Sequence, residues 1–137
     1  MKPFVLDASI TLGWLLDRPV HARALRARQL IVSGWVPLVP TLWRHEVSNG
    51  VVIAERRGRL TSEQVRTLSK DLDEFADTVQ IDPVMVRNSV LIETARQTLL
   101  TVYDAAYVEL AIRRRLPLAT LDEKLAVAAQ RAGVALI

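Results

Sequence analysis

The chain contains 137 residues and no cysteine, which excludes a disulfide-stapled fold, thiolate metal sites and cysteine catalysis. With 50% apolar residues, 24% charged residues and a net charge of +3, intrinsic disorder is excluded and a single domain over residues 1–137 is expected. Only two histidines are present, which excludes a metal site built mainly from histidine. A long uncharged stretch at residues 30–43 is too short for a membrane helix, so we expect a cytoplasmic protein without a membrane partner.

Short apolar runs alternate with helical patterns along the first half of the chain. A helix is expected to begin near Thr41, a plausible N-cap, and to end at Gly58. Proline at position 37 is unfavourable in a central strand, so the extent of the second strand stays open. The predicted order is a strand at 4–6, helices at 9–16 and 21–33, a strand at 35–39 and a helix at 41–57.

The second half of the chain continues the same alternation. A capping signal at residues 61–64 begins one helix, and Pro83 suits the first turn of another. Gly133 closes the last helix. The predicted order is a helix at 61–75, a strand at 78–81, helices at 83–99 and 103–115, a strand at 117–121, a helix at 123–132 and a strand at 134–137.

Strands that alternate with helices indicate an α/β fold with a parallel sheet. The predicted strands lack alternating polar residues, as expected when helices cover both faces of the sheet. The interpretation is a three-layer α/β/α fold with a five-stranded, mostly parallel sheet flanked by helices. In such sheets ligands bind beyond the carboxyl ends of the strands, where the strand order reverses.

Two aspartates follow predicted strands, and two further acids lie near predicted helix starts. Asp7 ends the first strand and Asp122 ends the fourth, so both are expected at the ligand edge. Asp104 lies at the start of a helix, and helix capping explains these aspartates as well as a functional role does. Glu46 has apolar neighbours in its helix, and a carboxylate beside a core-facing stripe is costly unless it is paired or bound to a metal.

The chain resembles the PIN-domain ribonucleases, and specifically the VapC-type toxins of toxin–antitoxin modules. The resemblance covers residues 4–134 in order. It depends on the segments VLDASITLGWLL, PTLWRHEVSNGV and LLTVYDAAYVELAIRRRLPLATLDEKL.

The resemblance implies a metal-dependent endoribonuclease toxin of a type II module. Its catalytic and metal-binding residues would be Asp7, Glu46, Asp104 and Asp122, with one or two Mg²⁺ or Mn²⁺ ions. Converging carboxylates repel one another without a cation, so the cluster itself requires a metal. The resemblance further implies an RNA substrate, a homodimer and a cognate antitoxin.

Three polar residues near the acids have weaker assignments. Ser9 and Thr120 match hydroxyl positions that flank the first and last acids in the family, and they either support these acids or cap helices. Asn49 lies about one turn after Glu46 and either faces the same site or is a solvated polar residue.

Arginine accounts for 15 of the 18 basic residues. Clusters at residues 56–59 and 113–115 either contact phosphate or stabilise helix C-termini through the helix dipole. Without the four acids, the remaining chain would carry a charge of +7, which suits a polyanionic substrate.

Two alternatives to a nuclease remain open from the sequence. One is a PIN-fold module that binds RNA or protein without cleaving it. The other is a receiver-type signalling domain with an acidic pocket, although no phosphoacceptor aspartate follows the third strand in the expected pattern.

Overall fold

In the computed structural model, which describes residues 2–137, strands and helices alternate along most of the chain. The strands are β1 (Pro3–Leu6), β2 (Val36–Val39), β3 (Gln80–Ile81) and β4 (Leu118–Ala119). The helices are α1 (Ala8–Leu16), α2 (Ala22–Val32), α3 (Trp43–Arg56), α4 (Ser62–Ala76), α5 (Asn88–Thr98), α6 (Val102–Arg114) and α7 (Glu123–Arg131). The predicted α/β class is confirmed.

The sheet has four strands in the order β3-β2-β1-β4, and every neighbouring pair is parallel. The prediction of a fifth strand at residues 134–137 is wrong, because Leu136 forms only an isolated bridge with Leu118. Leu118 donates to the Ala135 carbonyl at 2.9 Å and accepts from the Ile137 amide at 3.0 Å. Because β4 is only two residues long, it provides too few backbone hydrogen-bonding partners for the chain terminus to form a full strand.

The helices lie in two groups on opposite faces of this sheet. Helix α1 contacts α2 and α3, α3 contacts α4, and α6 contacts both α5 and α7. From β1 to β3 the chain moves toward one edge of the sheet, and from β3 to β4 it moves back past β1. Because parallel crossovers are right-handed, these opposite movements place their helices on opposite faces. The predicted three-layer arrangement is confirmed.

Pro37 lies in β2 between two neighbouring strands, the position that the sequence left open. Val36 donates its amide to the Lys2 carbonyl on the β1 side at 3.0 Å. Successive residues of a strand donate to opposite sides, so position 37 faces β3. The pairing with β3 begins only at Leu38 with Gln80, and the missing amide of Pro37 therefore removes no ladder hydrogen bond.

Helix α5 begins at Asn88, so the predicted start at Pro83 is wrong. The amide of Asp82 donates to the Val39 carbonyl at 2.8 Å, which continues the extended pairing of β3 by one residue. The chain then runs without regular structure to Arg87, the N-cap of α5. At α4 the predicted capping box is confirmed, with reciprocal hydrogen bonds between Thr61 and Gln64.

The core is centred on β1, where Phe4, Val5 and Leu6 are completely buried. Trp43 of α3 and Tyr107 of α6 are among the largest buried side chains. Apolar side chains on a strand covered by helices on both faces lose all contact with water, which is the main stabilising contribution in such a sheet. None of the helices in residues 2–137 has the length and apolar character that crossing a membrane requires.

An ion-pair network joins α6 to the end of β3. Arg113 donates from Nη2 to Asp82 Oδ2 and from Nε to Glu109 Oε1, each at 2.6 Å. Both carboxylates are buried, and their hydrogen bonds raise the pKa of the Arg113 guanidinium. Arg113 is therefore committed to a structural network rather than free to contact phosphate, and Asp82, which the sequence left without a role, anchors it.

Removing the Asp82 carboxylate is expected to destabilise the protein strongly. Asp82→Ala leaves a partly buried guanidinium with one anionic partner fewer, and we expect a loss of about 3 kcal/mol in the free energy of unfolding. The measurement is urea denaturation at neutral pH. The matched control is Glu93→Ala, which breaks the exposed pair with Arg96 and should cost less than about 0.5 kcal/mol. Equal losses for the two variants would contradict this role of the network.

Candidate active site

The acids surround the point where the strand order reverses. The chain passes from β1 to β2 on one side and returns from β3 to β4 on the other side of β1. This reversal opens a crevice beyond the carboxyl ends of β1 and β4. Asp7 directly follows β1, and Thr120 and Asp122 follow β4, so the topology brings them to the same crevice.

Asp7 is a buried carboxylate held by two hydroxyl groups. It is 5% exposed, and its Oδ2 accepts from Ser9 Oγ at 2.5 Å and from Thr120 Oγ1 at 2.7 Å. Asp7 occupies the N-cap position of α1, yet its side chain caps no amide of that helix. Helix capping therefore does not explain this aspartate.

Burial raises the pKa of Asp7, and the hydroxyl hydrogen bonds only partly oppose that shift. The nearby carboxylates of Asp104 and Asp122 raise it further. The site therefore concentrates negative charge around a carboxyl group that is poorly solvated.

Ser9 and Thr120 connect Asp7 to the segment after β4. Ser9 Oγ accepts from the Leu121 amide at 2.9 Å, and Thr120 Oγ1 accepts from the Asp122 amide at 3.0 Å. Each hydroxyl carries one proton and donates it to Asp7. No proton is therefore left for a hydrogen bond between the two hydroxyls, which lie 3.3 Å apart. These hydroxyls fix the orientation of Asp7 relative to Asp122.

Glu46 is held from α6 by a residue that the sequence analysis missed. The hydroxyl of Tyr107 donates to Glu46 Oε1 at 2.5 Å. The phenol ring is completely buried. Because a buried tyrosine hydroxyl usually has a polar partner, a tyrosine in the apolar stripe of this helix already indicated a hydrogen bond to another residue. Burial raises the pKa of Glu46 to about 7, and the charges of Asp7 and Asp104 contribute to this rise.

Asp104 occupies the first turn of α6 without capping it. Thr101 is the N-cap, since its hydroxyl accepts from the Asp104 amide at 3.2 Å. The carboxylate of Asp104 is half-buried, and burial and the charge of Asp122 raise its pKa. Lys124 opposes part of this shift. The capping interpretation of Asp104 is wrong, because a threonine three residues earlier performs that function.

Asp122 combines a capping role with a place in the acidic cluster. Its Oδ1 accepts from the Leu125 amide at 3.1 Å and caps α7, as the structural interpretation of this residue predicted. Asn49 is exposed and lies along the same surface groove of α3 as Glu46. Among residues 2–137 no hydrogen bond joins Asn49 to the acids, so it lies beside the cluster rather than within it.

The donor set suits a hard divalent cation. The clustered carboxyl groups are oxygen ligands, which Mg²⁺ and Mn²⁺ prefer, and three of them have raised pKa values. Within residues 2–137 no three acidic or histidine side chains are close enough to chelate one ion. Mg²⁺ usually keeps several waters and binds through one or two carboxylates, so it does not require such a cage.

The fold and this site define a parallel α/β domain with an acidic cleft at the reversal of strand order. The sequence matches the PIN domain family over residues 4–130, and the chain belongs to that family. No curated protein matches the sequence. Family membership excludes the receiver-domain alternative.

Several solved structures share this fold. One is PAE2754 from Pyrobaculum aerophilum, with 19% identity and a TM-score of 0.68 over 93% of this chain and 84% of that chain. Another is FitAcB from Neisseria gonorrhoeae, with 19% identity and a TM-score of 0.66 over 98% of this chain and 96% of that chain.

The raised pKa of Glu46 makes stability depend on pH. Folding raises this pKa from 4.5 to about 7, so the folded protein holds the proton more tightly than the unfolded chain does. Stability from this group is complete below about pH 4.5 and is lost as pH rises through about 7. Glu46→Gln removes that titration, and because solvent screens this half-buried carboxyl group, the loss between these pH values should be smaller by only about 2 kcal/mol.

The measurement for Glu46→Gln is chemical denaturation from pH 4 to pH 8 in the presence of a chelator. Glutamine keeps an oxygen that can accept from Tyr107, so the variant tests the charge and not the hydrogen bond. The matched control is Glu123→Gln, which changes an exposed carboxylate and should leave the pH dependence as in the wild type. Identical pH profiles for wild type and Glu46→Gln would contradict the burial of this charge.

The hydroxyl of Tyr107 should contribute measurably to stability. Tyr107→Phe keeps the buried ring and leaves the Glu46 oxygen without its donor, and we expect a loss of about 2 kcal/mol at pH 8. The measurement is the free energy of unfolding from denaturant titrations. Tyr103→Phe is the matched control, because the side chain of Tyr103 is exposed and the change should have almost no effect. A similar effect of the two substitutions would show that the bond to Glu46 is unimportant.

Proposed function

We propose that this PIN domain is a Mg²⁺- or Mn²⁺-dependent endoribonuclease that acts as the VapC-type toxin of a type II toxin–antitoxin module. One observation carries the proposal: the topology gathers Asp7, Glu46, Asp104 and Asp122 around one crevice, where burial and mutual repulsion raise the pKa of three of them. A cluster of this kind is electrostatically costly in the absence of a cation. Divalent cations beside a phosphodiester promote its hydrolysis, because they activate a water and stabilise the charge on the attacking and leaving oxygens.

Asp7 and Asp104 are the proposed direct metal ligands. Oδ2 of Asp7 is occupied by two hydroxyl donors, whereas Oδ1 accepts no hydrogen bond from residues 2–137. Asp104 is only half-buried, so a cation can reach its carboxylate, and a hydrogen bond with the side chain of Thr101 opposes part of the rise in its pKa. A bound cation would activate a water and stabilise negative charge on the phosphate.

Glu46 and Asp122 complete the proposed site from opposite sides. Tyr107 fixes Oε1 of Glu46, which leaves Oε2 for a cation or for a water bound to it. Asp122 uses Oδ1 to cap α7, which leaves Oδ2 for the site. Ser9 and Thr120 act as positioning groups, since both hold Asp7 and contact the segment that carries Asp122.

The charge of the chain supports a polyanionic substrate. The net charge is +3 although the proposed ligands are all acids, so the rest of the molecule is strongly basic. Arg44, Arg56 and Arg57 are exposed and form no ion pair with residues 2–137. Such side chains attract an RNA backbone, while a bound cation offsets the repulsion from the acids.

The proposal includes a homodimer, a cognate antitoxin and a cytoplasmic location. Helix α5 has no buried residue, and apolar side chains are exposed on it and on the segment before it. Met85 is 92% exposed and Ile92 is 53% exposed, so this region would be stabilised by contact with another protein. Sedimentation tests the homodimer. Co-purification with the product of an adjacent short reading frame tests the antitoxin.

A PIN-fold module that binds RNA or protein without cleaving it is the second candidate. Its specific support is that within residues 2–137 no preformed three-ligand cage is present. Such a module would bind RNA with or without the acids, whereas a nuclease requires them for cleavage.

Removal of one proposed metal ligand is expected to abolish cleavage. Asp7→Asn and Asp104→Asn keep the size of each side chain but weaken its attraction for a cation. We expect a loss of at least about 100-fold in the rate of cleavage, more than is typical for groups outside the direct ligands. The measurement is cleavage of a labelled RNA by purified protein with Mg²⁺ or Mn²⁺, followed by gel electrophoresis.

The control variant is Glu123→Gln, which changes an exposed acid beside Asp122 whose one ion pair within residues 2–137 is with Arg23. It should cleave at the wild-type rate, and a chelator should stop cleavage by both proteins. Thermal unfolding of each variant checks that the fold is retained. Equal cleavage by wild type, Asp7→Asn and Asp104→Asn would overturn the proposed nuclease site, and RNA binding without cleavage by the wild type would favour the second candidate.

A further inference from the structure

Tyr103 departs from the pattern of its own helix. Its spacing along α6 continues the apolar stripe of Ala106, Tyr107 and Leu110. Those three residues are at most 8% exposed, whereas Tyr103 is 67% exposed. Tyr103 forms no aromatic pair with residues 2–137. Its ring therefore has little role in the core and is open for contact with a ligand.

Tyr103 forms one wall of an open groove against α3. The groove has a volume of about 930 Å³, within the range of ligand-binding clefts. Glu46 lines the same groove, and Asp104 follows Tyr103 directly in the first turn of α6. The groove therefore adjoins the acidic cleft at Glu46, and a strand whose phosphate reaches these acids can place its next nucleotide against the tyrosine ring.

The opposite wall of the groove carries a cation. Arg44 lines it, is exposed, and forms no ion pair with any residue from 2 to 137. The groove thus combines an aromatic face, an unpaired guanidinium and polar side chains such as Ser48 and Asn49. Proteins that bind single-stranded nucleic acid without reading its sequence combine a positively charged groove for the backbone with aromatic side chains on which the bases stack.

We propose that this groove is a subsite for an unpaired nucleotide next to the cleaved phosphate, with Tyr103 stacking on its base and Arg44 contacting its backbone. The proposal rests on the proposed function and adds to it two residues that would hold the substrate beside the cleaved phosphate. Bases inside a duplex are already stacked on their neighbours and do not offer a free face to Tyr103.

The test uses the full chain and a labelled single-stranded RNA of mixed sequence that contains one 2-aminopurine, whose fluorescence reports stacking. Binding is measured with Ca²⁺ in place of Mg²⁺. Tyr103→Ala should weaken binding by about 5-fold to about 150-fold and should remove the fluorescence change. Tyr103→Phe keeps the ring and should retain both, which separates stacking from any role of the hydroxyl.

Arg44→Ala should reduce the dependence of log affinity on log salt by about 0.7, the contribution of one phosphate contact on a single strand, and Arg44→Lys should retain it. Leu99→Ala is the matched control for Tyr103→Ala, because Leu99 is 79% exposed and lines a different groove. It should bind like the wild type. An RNA duplex of the same sequence should bind wild type and Tyr103→Ala equally.

Two results would overturn the subsite, and they differ in what they say about the nuclease. If wild type cleaves RNA but Tyr103→Ala keeps the full affinity and fluorescence change, the proposed subsite is wrong while the proposed function stands. That result would favour a protein as the ligand of the groove. If wild type neither binds nor cleaves the single strand, both proposals fail together.

Discussion

The pair of hydrogen bonds that Asp7 accepts from Ser9 and Thr120 links the central strand to its neighbour at the carboxyl edge of the sheet. Phe4, Val5 and Leu6 of β1 are completely buried, so the chain leaves the core at Asp7 with a charged group that has almost no access to water. A carboxylate in such a place needs donors or a cation. The hydroxyls supply part of that need, and they also hold the segment that leads to Asp122.

The remaining cost of this arrangement appears as raised pKa values across the cluster. Desolvation is the largest cause at Asp7, Glu46 and Asp104, and mutual repulsion adds to it. A protein optimised only for stability would replace such groups by apolar or neutral residues. Retaining them at one crevice lowers stability, a trade typical of functional sites, and a bound cation would offset their repulsion.

Helix α6 connects the site to the frame of the molecule. Its first turn carries Asp104, its middle carries Tyr107, which holds Glu46 on α3, and its last turn carries Arg113, which is bound to Asp82 at the end of β3. The buried ion pairs at one end therefore fix the helix that positions two acids at the other. Because one helix carries both sets of contacts, a change in its packing would also shift Asp104 and Tyr107.

Much of the fold follows from local patterns. Apolar runs bounded by glycine and proline predicted the order of strands and helices, and the capping box at Thr61 is found where it was predicted. The start of α5, the reduction of the last strand to one bridge and the place of Pro37 in β2 depend on hydrogen bonds between distant segments, which local patterns do not contain.

The candidate site also has features that local sequence patterns predict and features that depend on contacts between distant segments. The sequence by itself determined the α/β class and named the acids, because strand ends and helix starts place Asp7, Asp122 and Asp104 by short-range rules and the family segments include Glu46. Only the tertiary structure decided that Asp7 is no helix cap, that Tyr107 holds Glu46 and that Tyr103 faces solvent. Burial and hydrogen-bond partners are properties of the packed chain, and two tyrosines one turn apart on the same helix have opposite environments because different elements cover them.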